Sequence, residues 1–370
     1  FSPPPNYNLS KVANILKIDI TKYLSIEKQT SKVFKALLDT CKNKKWDLLK
    51  ECGDNALASL TDKAGRNILQ YCMETGEEEL FIDLMKNKIL IHHFDAKGNT
   101  SLHIAAQMGN YEQIPLLLNH IDIDTRNNTD QTPLHIAAQA GQFNAIKTLL
   151  VNNASDQILC KWSSLRLSPL ALIVRYGYID CIPLFVEHIA KERVASIGNI
   201  LHLAIHFNQI DVLEYLLNNY SEICKHLIKN KNKEGLTPLA LAAYLDRPKA
   251  LILLHTKGAN IEVRNYLQQT PLHLAAKAGN HEIIQTLVYL GCQLSPMDTR
   301  GKFPLNLGKD PSCQNLLKNL MQGDTKARKS PPNFAHRPPQ NLAFKGGGPK
   351  GIAFLGALEK LQKEKMLNEV

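Results

Sequence analysis

An all-α solenoid of about seven to eight repeated helix pairs, followed by the first strand, turn and helix of an α/β domain, is the fold class that this 370-residue sequence predicts. Three observations carry it. A helix-forming block recurs at a nearly constant period, proline opens and glycine closes several of those blocks, and after residue 340 the pattern gives way to a glycine-rich turn between two apolar runs.

The blocks Asn99–Ala106, Gln131–Ala138 and Gln269–Ala276 are near copies of one another, with weaker copies at Ser168–Ala171, Leu201–Ala204 and Thr237–Ala243. Their central leucines are Leu69, Leu102, Leu134, Leu170, Leu201, Leu239, Leu272 and Leu305, spaced by 31 to 38 residues and most often by 33. Proline at a first helical turn gives up no needed N–H, and the preceding Thr132, Thr237 or Thr270 hydroxyl can cap that turn. Gly109, Gly141, Gly177 and Gly279 then sit where a left-handed helix end favours glycine. A second helix follows with apolar residues at helical spacing, as in Ile146-Leu149-Leu150 and Ile283-Ile284-Leu287-Val288. Between blocks, Asp95–Gly98, Asn232–Gly235 and Asp298–Gly301 are turn-forming. The two longest spacings predict insertions near Gln157–Ser164 and Tyr220–Lys231, which makes 165–220 the least regular part.

The period and the Thr-Pro-Leu-His-x-Ala block resemble the ankyrin repeat over about residues 62–310. The resemblance implies an array that binds an unknown protein through hairpin tips and its concave helix face. Arg264-Asn265-Tyr266-Leu267 puts an aromatic and a leucine at one such tip, so Tyr266 and Leu267 are the candidate partner-binding residues; packing on the neighbouring repeat is the equal alternative. His103, His135, His202 and His273 share one repeat position, which favours a structural hydrogen-bonding role over catalysis or metal binding. Residues 1–60 are expected to be an N-terminal helical segment and cap, with Lys35, Lys42, Lys44, Lys45 and Lys50 on an exposed face, and 61–322 the array.

Composition narrows the function classes. Apolar residues make up 44% and charged residues 21%, an ordinary balance for a folded chain. No apolar run approaches the ~20 residues of a spanning helix, and no signal peptide is visible. The eight cysteines are scattered without metal-ligand spacing, which fits a reducing, cytoplasmic setting and a role as small buried hydrophobes; neither a metal nor a cofactor is called for. The net charge of +10 lies at the ends: residues 61–310 carry 24 basic and 24 acidic side chains, whereas 311–370 carry 10 and 4. That distribution argues against nucleic acid as a partner.

Residues 323–340, with Lys326-Ala327-Arg328-Lys329 and two Pro-Pro pairs, read as a basic, proline-rich linker whose charge suits an anionic membrane surface. In 341–370, Leu342–Lys345 reads as a buried strand, Gly346–Gly348 as a tight turn and Pro349–Lys363 as a helix. Such a turn gathers backbone N–H groups at a positive helix end, where an anion or a developing oxyanion is stabilised. Gly346, Gly348 and Gly351 also satisfy the dinucleotide pattern, with Glu369 downstream, although Pro349-Lys350 is unusual within it and Glu369 precedes the next strand. A phosphate-binding P-loop is excluded, because no Gly-Lys-Ser/Thr follows.

The same stretch resembles the patatin-like lipid acyl hydrolases, in which G-G-G-x-[KR]-G after an opening strand supplies the oxyanion hole. Here Gly346, Gly347, Gly348 and Gly351 would be that loop, Lys350 the basic residue beside the substrate, and Gly356-Ala357-Leu358 the helix element; Lys345 stands where many members have Asp. An ankyrin array joined to such a domain resembles calcium-independent phospholipases and bacterial effectors delivered into host cells. The resemblance implies a peripheral membrane enzyme acting on phospholipid or lysophospholipid. None of the 20 glycines begins the G-x-S-x-G elbow of the nucleophile, so the chain as given is expected to be the inactive start of that domain. The alternative is a non-catalytic protein-interaction module.

Overall fold

The structure is a computed structural model, and it describes residues 5–19, 26–43, 45, 48, 51–52, 60–86, 91–156, 160–162, 165–194 and 197–322. All of them belong to the unit Phe1–Lys329. The expected strand, glycine turn and helix of 341–370, and the linker before them, lie outside the described residues.

Two helices, α1 (Pro5–Ile15) and α2 (Ile26–Lys42), come first. In α2, Val33, Phe34 and Leu37 are buried while Lys35 is exposed, and Lys42 Nζ pairs with Glu77 at 2.6 Å. Eight helix pairs follow among the described residues: α3 (Ile68–Thr75) with α4 (Glu78–Lys86), α5 (Ser101–Met108) with α6 (Ile114–Leu118), α7 (Pro133–Ala140) with α8 (Phe143–Val151), and α9 (Pro169–Tyr176) with a 3-10 helix (Ile179–His188). Then come α10 (Ile200–His206) with α11 (Ile210–Asn219), α13 (Pro238–Tyr244) with α14 (Pro248–Thr256), α15 (Pro271–Ala278) with α16 (His281–Tyr289), and α17 (Pro304–Leu307) with α18 (Pro311–Met321).

Each pair begins at one of the eight marker leucines, and every one of these from Leu69 to Leu272 is at most 1% exposed. Burying each side chain fully is worth roughly 1.5–3 kcal/mol relative to exposure, so the repeat register is held by the hydrophobic effect at every step. The alanines beside them, such as Ala105, Ala137 and Ala275, are fully buried and let successive first helices approach closely. The core is therefore a continuous ribbon through the stack rather than one central cluster.

Both spacing anomalies have structural causes. The first is a two-stranded antiparallel hairpin, β1 (Cys160–Trp162) with β2 (Leu165–Leu167), placed ahead of α9. The second is an additional short helix, α12 (Ser221–Leu227). Irregularity between 165 and 220 is also visible: Pro183 lies inside the second helix of the fourth pair, where its missing N–H and ring favour the 3-10 form. A small antiparallel bridge of Arg193–Val194 with Gly198–Asn199 then leads into α10, whose cap is Asn199 rather than a Thr-Pro start. Among the described residues no helix is long and apolar enough to cross a membrane.

Candidate interaction surface

The solenoid presents three surfaces built by local sequence: hairpin tips, the face of the first helices, and the turns between paired helices. Six of the tips are closed, each by one acidic or amide side chain. Asp62, Asp95, Asn127, Asn232, Asn265 and Asp298 each accept, through Oδ1, the N–H groups two and four residues ahead, at 2.7–3.0 Å. The residue three ahead is left-handed in every case, including the non-glycines Asp130 and Gln268. Neighbouring tips are joined backbone to backbone: Ala96 N–H donates to Ala64 at 3.2 Å, Asn128 to Lys97 at 3.1 Å and Thr299 to Leu267 at 3.1 Å.

Behind the tips runs a ladder of histidines. His103 Nδ1 accepts the Thr100 backbone N–H at 3.2 Å, which leaves Nε2–H to donate to the Gln131 carbonyl of the next repeat at 3.0 Å. His202 repeats the arrangement with Asn199 at 3.3 Å and Leu236 at 2.9 Å, and His273 with Thr270 at 3.1 Å and Lys302 at 3.1 Å. His135 Nδ1 likewise accepts from Thr132 at 3.3 Å. Burial pushes His103 and His202 down to about 4, and it also lowers His273. The shared repeat position thus has the structural role its recurrence suggested. In the first pair Gln70 does the same work unrecognised in the sequence, taking the Asn67 N–H on Oε1 and donating to Asn99 at 3.0 Å.

At the opposite ends of the first helices, side chains reach back one repeat. Asn110 donates to the Met73 carbonyl, Gln142 to Gln107, Gln209 to Arg175 and Asn280 to Ala243, at 2.7–3.1 Å. Beside Asn280 lies a cleft of about 510 Å³ lined by Tyr244, Asp246, Lys277 and Lys309 among others. Close by, His281, Asp310 and Cys313 place ligand-type atoms within 4.8 Å of one another. Each already has a partner: Asp310 Oδ1 accepts the Cys313 N–H at 2.7 Å and His281 Nε2 lies 2.7 Å from Ser312 Oγ, both at the start of α18, while the Cys313 thiol donates to the Ala276 carbonyl in α15. The Cys313 N–H bond holds the Asp310 carboxyl below its usual range. The group is a helix cap. Of the cysteines, 52, 72, 181, 224 and 313 are buried and free, as their use as small hydrophobes suggests.

The two contact residues chosen from the sequence are both at a tip and both exposed, Tyr266 at 64% and Leu267 at 44%. Tyr266 nonetheless rests against Gly235 of the preceding tip, with the Lys231 ammonium 5.7 Å from its ring centroid, so it packs on the neighbouring repeat while most of its surface stays exposed. Met297, 56% exposed, joins them through its carbonyl, which accepts from Arg264 Nη1 at 2.9 Å. It carried no sequence signal, because its exposure depends on the following turn. Gly346, Gly347, Gly348, Lys350 and Gly351 lie outside the described residues.

Repeated helix pairs with projecting hairpins, tied by a Thr/Asn-His ladder, define a repeat-scaffold protein. Models of ankyrin repeats match residues 84–159, 134–223 and 217–298, more than half of the chain, and the protein belongs to the ankyrin-repeat family. It is similar to mouse Inversin, 27% identical over 262 residues that make up 66% of this chain and 20% of that protein. It is also similar to human SH3 and multiple ankyrin repeat domains protein 2, 40% identical over 88 residues, 22% of this chain and 5% of that one. The chain thus spans about a fifth or less of the length of these relatives. Among solved structures, the ankyrin repeat domain of Bcl-3 shares the fold at a TM-score of 0.51 and 24% identity, over 60% of this chain and 99% of that one.

Proposed function

We propose that this chain is the protein-docking scaffold of a peripheral membrane acyl hydrolase acting on phospholipid or lysophospholipid. The scaffold half of the proposal rests on the ankyrin array, whose first-helix face and Tyr244–Lys277 cleft offer a surface to a protein partner. The hydrolase half rests on one observation, the run Gly346-Gly347-Gly348-Pro349-Lys350-Gly351 followed by Gly356-Ala357-Leu358. In that reading the glycine N–H groups bind the oxyanion of the tetrahedral intermediate, while a Ser and an Asp from downstream sequence supply nucleophile and base.

The test is hydrolysis of a phospholipid by the gene product that extends through a G-x-S-x-G element. Gly347→Ala should then cost roughly 2–4 kcal/mol of transition-state stabilisation, a rate loss on the order of 10²–10³. Unchanged hydrolysis by a folded Gly347→Ala protein would remove the hydrolase half. Absence of any lipid hydrolysis, together with specific capture of a protein by the array, would leave the non-catalytic interaction module.

A further inference from the structure

We propose that the last three hairpin tips form a docking face for an anionic lipid bilayer, with Tyr266, Leu267 and Met297 entering the headgroup region. The charge balance of the middle of the chain conceals this face. Tips 231–237, 264–270 and 297–303 carry five basic side chains, Lys231, Lys233, Arg264, Arg300 and Lys302, against the acidic Glu234 and Asp298. The equivalent residues of the first three tips, 61–67, 94–100 and 126–132, carry four basic against three acidic. Asp298 is also turned inward, 7% exposed, its carboxylate taken up by the N–H groups of Arg300 and Lys302 and by Gln269. Nearby Glu262 accepts the Gln293 N–H at 2.7 Å.

The exposed apolar groups sit among those cations. Tyr266 lies against Lys231, and the Leu267 and Met297 backbones are tied to the neighbouring tip and to Arg264. An apolar apex ringed by lysine and arginine suits a bilayer surface, where aromatic and aliphatic groups settle at headgroup depth and cations meet anionic lipid. A protein hot spot favours a fully desolvated pocket instead, and the cleft lies elsewhere, beside Tyr244 and Asn280. The face extends the membrane-surface part of the proposed function, but it requires no hydrolase.

The experiment is co-sedimentation of the 370-residue chain with phosphatidylcholine vesicles containing about 30 mol% phosphatidylserine, compared with phosphatidylcholine alone. Serine-lipid vesicles should bind at least tenfold better at low salt, with the advantage lost as salt screens the charges. Tyr266→Ser/Leu267→Ser/Met297→Ser and Lys231→Glu/Lys233→Glu should each reduce binding about tenfold with unchanged circular dichroism and Tm, since all five side chains are exposed. Lys326→Glu/Arg328→Glu/Lys329→Glu should reduce it less. Equal binding to both lipids, binding that depends on the linker and not on the tips, or tip-dependent capture of acidic polypeptide without vesicle binding would each overturn the proposal. Because vesicle binding involves no hydrolysis, its failure is separable from failure of the acyl-hydrolase reading.

Discussion

Lowering the pH from 7 to 5 should destabilise the array through its histidine ladder. His103 and His202 sit at about 4 in the fold because burial deprives the charged imidazolium of solvent, and their Nδ1 atoms already accept backbone N–H groups. In the unfolded chain each returns to about 6.5. Between these values the unfolded state binds the extra proton, so stability is intact above about 6.5 and falls as the pH drops toward 4. Integrating from pH 7 to pH 5 gives roughly 1.8 kcal/mol for each histidine, close to 4 kcal/mol for the two. The assay is urea unfolding at both pH values, compared with a His103→Gln/His202→Gln variant. Gln70 shows that glutamine can make both ladder bonds without titrating. The variant should keep most of its stability at pH 7 and lose roughly 4 kcal/mol of the pH dependence. A variant as acid-sensitive as the parent would refute the assignment of that sensitivity to the ladder.

Two further outcomes follow from particular contacts. Gly235 and Gly291 both have a left-handed backbone, but a Cβ at Gly291 meets nothing within 4 Å whereas one at Gly235 comes within 2.7 Å of Tyr266 Cδ2 and 2.8 Å of its backbone N. Gly291→Ala should therefore cost about 1 kcal/mol and Gly235→Ala about 2–3 kcal/mol in denaturant midpoints, with the second also displacing Tyr266. Glu192 is buried with its Oε2 2.7 Å from the Ser168 hydroxyl; burial raises its carboxyl, Ser168 opposes that, and Asp156 adds to it. A raised carboxyl means the ionised side chain costs stability above its unfolded value, so Glu192→Gln should raise stability at pH 7 by on the order of 1 kcal/mol, and less at pH 4.

Much of the fold was legible because the same local rules recur eight times. The Thr-Pro starts became caps, with Thr237 Oγ1 accepting from Ala240 N–H at 3.4 Å, and Gly109, Gly141, Gly177 and Gly279 became left-handed helix ends. Spacing also located the hairpin near 160 and the helix at Ser221–Leu227, since any insertion must leave the packed ribbon. Gln70 escaped notice because its equivalence to histidine is one of hydrogen-bond geometry, not of residue type. The ties reaching back from Asn110, Gln142, Gln209 and Asn280 escaped because their acceptors are carbonyls of another repeat. At the tips, Tyr266 and Leu267 could be named from composition, whereas the company of Met297 and Lys231 required the hairpins to be stacked.

The two sets of ties are also distributed unevenly along the stack. The second and third repeats are fastened to each other at both edges, by His103 near the tips and Gln142 near the turns. Ala171 and Ala240 occupy the histidine position in the fourth and sixth repeats, and among the described residues the side-chain-to-carbonyl ties there are at the turn edge, through Gln209 and Asn280. Between the fifth and sixth repeats the tip edge is the fastened one, through His202. Across these three seams the edge held by a side-chain-to-carbonyl tie alternates, so the sixth and seventh repeats are joined at their tips by the Tyr266 contact with Gly235 and Lys231 instead of by a histidine.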